Sequence, residues 1–333
     1  MSWRVAAALA ALALLSGCDT LAYYGQAIGG QLDVMVAARP VDAWLADPAT
    51  PAELRGRLET AQRIRDFASR ALALPDNGSY RSYAALDRPY VVWNVFAAPR
   101  FSVEPKRECF PLAGCVGYRG FFSEARARKT AAALQAQGFD VHVGGVPAYS
   151  TLGWFDDPLL STFIQYPDSQ LARLIFHELA HQLVYKANDT TFNESFAVTV
   201  EEEGVRRWLE AEGRSAELAA FRLAQARRKR FAERVKETRE RLAAAYAESG
   251  GEETLLERKA ELWKRLRAEY PTIVPQQPNN AFLVSVALYN DLVPQFEALL
   301  RESGSLEAFY ARVRELAKSG EKLGHPKPPG PAS

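Results

Sequence analysis

The chain has 333 residues, 48% hydrophobic and 24% charged, with 41 basic residues against 40 acidic ones. That composition excludes a disordered, collagen-like or disulfide-dense chain, and the charge balance excludes the whole-molecule positive field that grips nucleic acid. The length is enough for one large domain or two small ones with a real core.

Residues 1–17 read as a secretory signal. Arg4 precedes the apolar run Val5–Leu15 (VAAALAALALL), which is shorter than the ~20 residues that span a bilayer. The run ends in Leu15-Ser16-Gly17-Cys18, which resembles a bacterial lipobox. The resemblance implies that Cys18 is acylated after cleavage and that the lipid anchors the chain to a membrane, facing the periplasm. Asp19 at the next position points to the inner membrane. Export also predicts a local disulfide between Cys109 and Cys115, which are six residues apart, with Pro111 and Gly114 bending the segment between them.

Residues 19–75 read mostly as helix, with Leu54, Leu58, Ala61, Ile64 and Phe67 on one face and Pro51 suited to a helix start. Asp76-Asn77-Gly78-Ser79 is a turn, and Tyr90–Phe96 (YVVWNVF) is a buried strand. A helix at about 123–137 ends at Gly138, and Asp140–Val143 is a second strand. Thr151–Pro158 (TLGWFDDP) is an irregular or edge segment. From about 168 onward the chain is helical. Within residues 206–247, Phe231, Val235, Thr238, Leu242 and Tyr246 form a buried stripe. The basic run Arg227–Arg230 is followed by Glu233, Glu237 and Glu240, so it reads as a solvated helix face. Pro271–Pro278 is a loop, a helix runs from Asn280 to about Leu300, and residues 321–333 are a disordered tail. The fold class is α+β and predominantly helical. One domain spans 18–320, with a mixed part at about 19–165 containing a small mixed sheet and a helical part at about 166–320.

The chemistry concentrates in LARLIFHELAHQLVYK, residues 171–186. Leu171, Leu174, Ile175, Leu179 and Leu183 give this helix an apolar face. His177 and His181, four apart, project from one side. Two neutral imidazoles at that spacing chelate one Zn²⁺, and Glu178 stands beside it to take a proton from the metal's water. Zinc needs a third protein ligand. His142 lies in the second strand and His325 in the tail, which leaves Glu194, in Phe192-Asn193-Glu194-Ser195-Phe196-Ala197. A loop at 188–191 lets a second helix return antiparallel and bring Glu194 to the metal. A second reading stays open: Thr191-x-x-Glu194 matches a capping box.

HELAHQ followed by NESFA resembles the gluzincin metallopeptidases, and among them the aminopeptidases. The wider chain resembles a family of bacterial aminopeptidase lipoproteins in its Cys109–Cys115 region, Tyr149–Pro158, HELAHQ and the Asn280–Tyr289 helix. The resemblance implies a zincin-like core with one Zn²⁺ per chain, held by His177, His181 and Glu194. It implies peptide-bond hydrolysis in the envelope with Glu178 as base, acting on a peptide or protein substrate. Ser195 departs from the glycine of the large aminopeptidases, the spacer before Glu194 is shorter, and their GxMEN substrate-anchoring segment has no clear counterpart. A downstream tyrosine often completes such sites. Tyr289 is the candidate here, against a role as a core aromatic. Glu201 lies two turns after Glu194, either behind a histidine or on the surface. Gly153 belongs to a possible substrate-pairing edge, and Asp156 or Asp157 to an amine-binding carboxylate, unless both only shape a turn. Two other functions fit the same residues: a zinc endopeptidase on envelope proteins, and a non-catalytic lipoprotein with a structural zinc, against which the intact Glu178 argues.

Overall fold

The structure is a computed structural model that describes residues 23–110, 114–248, 251–319 and 323. The signal segment, Cys18, Asp19, Pro111 and the tail with His325 lie outside these residues.

Residues 23–75 are mostly helical, as expected, but divided into several elements. Residues 23–37 form helix α1, followed by strand β1 (Ala38–Pro40), α2 (Val41–Ala46) and α3 (Ala52–Leu72). Prolines divide them: Pro40 and Pro51 each stand just before a helix, where a missing N–H costs nothing, and neither can continue a helix before it. Next come β2 (Ser82–Ala84), β3 (Val92–Pro99), β4 (Glu108–Phe110), β5 (Gly114–Val116), β6 (Arg119–Phe121), α4 (Glu124–Ala136), β7 (Phe139–Val146) and β8 (Leu159–Leu160). The helical half contains α5 (Asp168–Leu183), α6 (Thr190–Ala211), α7 (Ser215–Ala247), α8 (Glu252–Glu269), α9 (Asn280–Asn290), α10 (Val293–Ser303) and α11 (Leu306–Ser319).

Among the described residues, three small sheets replace the single mixed sheet expected: β1-β2-β8, β6-β3-β7 and the hairpin β4-β5. Of their strand pairs, only β2 and β8 run parallel. Cys109 and Cys115 face each other across the hairpin and form the predicted disulfide. β3 is buried on both sides. Trp93, Val95 and Ala97 pack with Ala127 and Ala131 of α4, while Phe96 and Ala98 pack with Ala281, Val284 and Leu288 of α9. Residues 151–158 form no strand, because Leu152 and Gly153 take left-handed backbone conformations (φ 57° and 80°) that end any extension.

The predicted helix from Asn280 to about Leu300 is also divided. Pro294 has no N–H for the carbonyl of Asn290. The N–H of Leu292 is redirected to the hydroxyl of Ser195 on α6, at 3.2 Å. The basic run on α7 is broken up by ion pairs, Arg228 with Glu202 and Lys229 with Glu297.

The largest core lies between α3, α5, α6, α10 and α11, around Leu58, Ile64, Phe176, Phe196, Phe296 and Phe309. Gly204 of α6 lies at a close approach within it. A Cβ there would lie 2.7 Å from the Phe176 ring and 2.8 Å from Leu72. Gly204→Val is therefore expected to lower the unfolding free energy by about 1–3 kcal/mol through overpacking. Chemical denaturation checks this, and an unchanged midpoint would contradict the close approach.

Candidate metal centre

Helices α5 and α6 are antiparallel neighbours joined by a short loop that Asn193 closes. Its Oδ1 accepts from the Lys186 N–H at 2.7 Å, and its Nδ2 donates to the Lys186 carbonyl at 2.8 Å. The helix start is capped by Asp189, whose side chain accepts from the Phe192 N–H at 3.0 Å. The Thr191–Glu194 capping box is therefore not made: the cap lies two residues upstream, and the Glu194 side chain is free to face α5.

Glu194 meets the two histidines there. His177 Nε2 and His181 Nε2 are 3.2 Å apart, and Glu194 Oε2 lies 3.3 Å from the first and 3.6 Å from the second. A tetrahedral ion with bonds of about 2.0–2.1 Å has ligand–ligand edges of about 3.3–3.4 Å. The three atoms thus already stand near the corners of one face of such a tetrahedron, and these residues could hold a metal ion.

Glu201, seven residues further along α6, is 2% exposed. Its Oε2 lies 2.8 Å from His177 Nδ1 and its Oε1 accepts from Arg173 Nε at 2.5 Å. With the Nδ1 proton donated to Glu201, the His177 Nε2 lone pair turns toward Glu194. Nδ1 of His181 is buried and has no hydrogen-bond partner among the described residues, so only one of the two rings is fixed from behind.

The electrostatics call for a cation. Glu178, Glu194 and Glu201 are all buried. Burial would raise the Glu194 pKa, yet the charges of His181 and His177, with their hydrogen bonds, pull it down to about 2. Burial would lower the His177 pKa, and hydrogen bonds to Glu194 and Glu201, with the charges of Glu201 and Glu178, lift it to about 10. Without a metal, the imidazole holds a proton in its place. Glu178 is raised above the ordinary carboxylate range by burial, which outweighs the opposing charges of His177 and His181.

Tyr289 lies beside the cluster, its ring stacked on His177 at 6.4 Å and 26°. The sequence did not point to Tyr118 or Tyr185. The pKa values of all three hydroxyls are pushed up, by burial first and next by the charge of Glu194. A trace of Tyr185 was legible, since it continues the i, i+4 series from His177 through His181; Tyr118 has no local signature. His142 is a core residue on β7, beside Phe96 and Phe282 and outside the cluster.

Next to His181, Gln182 ties two loops to α5. Its Nε2 donates to Ser79 Oγ at 3.0 Å and Asp157 Oδ2 at 3.2 Å, and its Oε1 accepts from Asn77 at 2.8 Å. Asp157 also accepts from the Thr151 N–H, is 3% exposed, and is raised to about 6 by burial. Asp156 is exposed and lies over Gly78, where a Cβ would come within 2.4 Å of its carboxylate. Gly153 is exposed near the Gln182 side chain. The turn at 75–79 is held by the fully buried Arg65, which donates to the carbonyls of Ser79, Pro75 and Asn77.

A cavity of about 440 Å³ opens at the start of α6, lined by Arg107, Gly117, Thr190, Thr191, Arg239 and Leu288 among others. It contains none of the three cluster residues and is a separate feature.

A family model described as “Putative aminopeptidase” matches residues 22–324. Neither the curated proteins nor the solved structures contain a match.

Two measurements test the site. Metal uptake at neutral pH is expected to release a proton from His177, because its metal-free pKa is about 10. Apparent affinity should accordingly rise with pH until that value is reached. Calorimetry in buffers of different ionisation heat reads the proton directly, and no buffer dependence would refute the assignment. Glu201→Gln is expected to weaken metal binding by about 10–100-fold while leaving the three ligand atoms in place, as read by competition with a chelating dye.

Proposed function

The chain belongs to this aminopeptidase family, and from that premise we propose that it is a zinc aminopeptidase of gluzincin type, with a zincin-like core, working in the bacterial cell envelope. The observation that carries this is the meeting of His177 Nε2, His181 Nε2 and Glu194 Oε2 beside the buried carboxyl of Glu178. The donor set, two imidazoles and a carboxylate, suits zinc. When bound, zinc supplies Lewis acidity to the scissile carbonyl and to the attacking water.

The remaining work falls to side chains of the chain itself. Glu178 takes a proton from the attacking water and passes it to the leaving amine. A carboxyl raised by burial can do both near neutral pH. Tyr289, neutral and stacked on His177, donates a hydrogen bond from its hydroxyl to the oxygen that becomes negative. Glu201 keeps the His177 lone pair aimed at the ion.

Recognition of a free amino terminus needs a carboxylate that solvent and substrate can reach. Asp156 meets that condition, and Asp157 serves to fasten the loop to Gln182. Gly153 gives the loop its turn, and Trp154 and Phe155, 71% and 47% exposed, offer apolar contact to a substrate side chain. The disulfide between Cys109 and Cys115 accords with export, as does the lipobox at Cys18. Among the described residues no helix is long and apolar enough to cross a membrane, so the proposed attachment is the Cys18 lipid.

The full chain is expected to bind one zinc and to cleave peptides with a free amino terminus but not their acetylated counterparts. Glu178→Gln should keep the zinc and lose activity by at least about 10²-fold. Equal cleavage of both peptide sets would replace the aminopeptidase by an endopeptidase, and zinc without cleavage would leave a structural site. Tyr289→Phe should lower kcat by about 10²–10³-fold with KM little changed. Asp156→Asn should instead raise KM for free-amine peptides.

A further inference from the structure

Helix α1 has two apolar faces, and the protein covers only one of them. On the inner side, Val34 is fully buried, Gly30 abuts Phe122 so closely that a Cβ would overlap its side chain, and Tyr23 stacks on Phe110. Polar side chains fasten the same side: Gln26 Oε1 accepts from the Phe122 N–H at 3.0 Å, and Gln31 accepts from the Tyr149 hydroxyl. The helix is therefore docked, with a defined outward face.

That outward face contains Ile28, Leu32, Met35 and Val36, exposed by 60%, 52%, 39% and 87%. At 3.6 residues per turn, these four fall within an arc of about 100°. Gly25 and Gly29 sit on or beside the arc, and the only charged residue of the helix, Asp33, lies at its flank. Four large apolar side chains contiguous on one docked helix, with no charge among them, mark a surface that water does not normally cover.

The chain leading into α1 limits what can cover it. Cys18 precedes Tyr23 by five residues, and five residues of fully extended chain reach at most about 18 Å. A lipid on Cys18 therefore holds the start of α1 within that distance of the bilayer surface. Fifteen helical residues, 23–37, are too few to span the ~20-residue hydrocarbon core, and an uncharged apolar arc has no reason to stand off from it.

We propose that the outward face of α1 lies in the interfacial layer of the membrane, with Ile28, Leu32, Met35 and Val36 entering the acyl boundary, so that the domain sits on the bilayer in one fixed orientation. Attachment through this face depends on apolar burial and is insensitive to salt, because no lysine or arginine lies on the helix. The occupant, a phospholipid surface, follows from the Cys18 assignment. The face itself can be tested whether or not that assignment holds.

The experiment uses the full chain in vesicles of phosphatidylethanolamine and phosphatidylglycerol. An environment-sensitive fluorophore is placed by Ile28→Cys, by Val36→Cys or, as a control on a distant exposed apolar residue, by Leu223→Cys. Lipids carrying nitroxide on the acyl chain should quench the first two labels and leave the third bright, with no change at high salt. Mass spectrometry of the amino-terminal peptide reads Cys18 acylation separately. If Cys18 proves unacylated, the same labels are read in Cys18→Ser, where quenching at 28 and 36 still supports the face. Ile28→Ser/Leu32→Ser/Val36→Ser should weaken vesicle partition of that unacylated chain about tenfold or more, with unchanged zinc content as the check on folding. Labels at 28 and 36 that stay bright in vesicles would overturn the proposal. So would a dimer in lipid-free solution that shields these positions, since a second copy would then be the occupant.

Discussion

The contact between α5 and α6 governs the rest of the structure. Two histidines one turn apart on α5 face two carboxylates two turns apart on α6, and Glu178 lies buried beside them. Three buried carboxylates need compensation, because a buried charge without a partner costs several kcal/mol. Arg173 supplies one fixed positive charge, through Glu201. The remaining demand falls on His177, whose pKa burial would lower and the neighbouring carboxylates lift to about 10, and a divalent ion would meet it more fully. The cluster is consequently a weak point of the fold, and helix α6, buried along most of its length, is the element that holds it in position.

The elements around this contact fix its third side. Asn279 and Asn280 anchor the start of α9 to the sheet layer. Asn279 donates to the Val141 carbonyl, and Asn280 donates to the carbonyls of Arg100 and Ser102 and accepts from the Tyr246 hydroxyl. Asp140 joins the same node, taking the Asn280 N–H and the Lys259 ammonium. At the far end of α9, Ser195 takes the Leu292 N–H one residue after Glu194 on α6. Tyr289 is thus held between a polar node at one end and helix α6 at the other. The serine that departs from the glycine of the large aminopeptidases has a structural task of its own.

The parts of this site that were legible in the sequence are those written locally. His177, Glu178 and His181 share one helical turn, and Glu194 and Glu201 share one face of the next helix, so periodicity alone brings them near each other. The turn at 76–79 was legible from its residues, but its importance was not. That depends on Arg65, a guanidinium on the buried stripe of α3, which only an unexpected charge among apolar positions would betray. Tyr118 and the role of Gln182 arise from contacts between segments far apart in the chain, and no spacing rule reaches them. The helix expected from Asn280 to about Leu300 was misjudged because Pro294 outweighs an apolar periodicity that runs through it.

The disulfide hairpin connects the outer shell to the candidate metal site. Asn188, in the loop between α5 and α6, takes a left-handed conformation with φ 69°. Its Oδ1 accepts from the Cys115 N–H at 2.7 Å and its carbonyl from Arg107 at 2.8 Å. Gly114 is left without a side chain where a Cβ would lie 2.6 Å from that same Oδ1. The loop that sets the start of α6, and with it the position of Glu194, therefore rests on a hairpin closed by Cys109 and Cys115. Tyr118 follows two residues after the hairpin and packs against Phe96 of β3, with ring centroids 5.5 Å apart and planes tilted by 51°. One cross-link outside the cluster restrains both the loop that positions Glu194 and the link between β5 and β6 that carries Tyr118. The covalent bond stands where two loops of high conformational freedom would otherwise have to be ordered by hydrogen bonds alone.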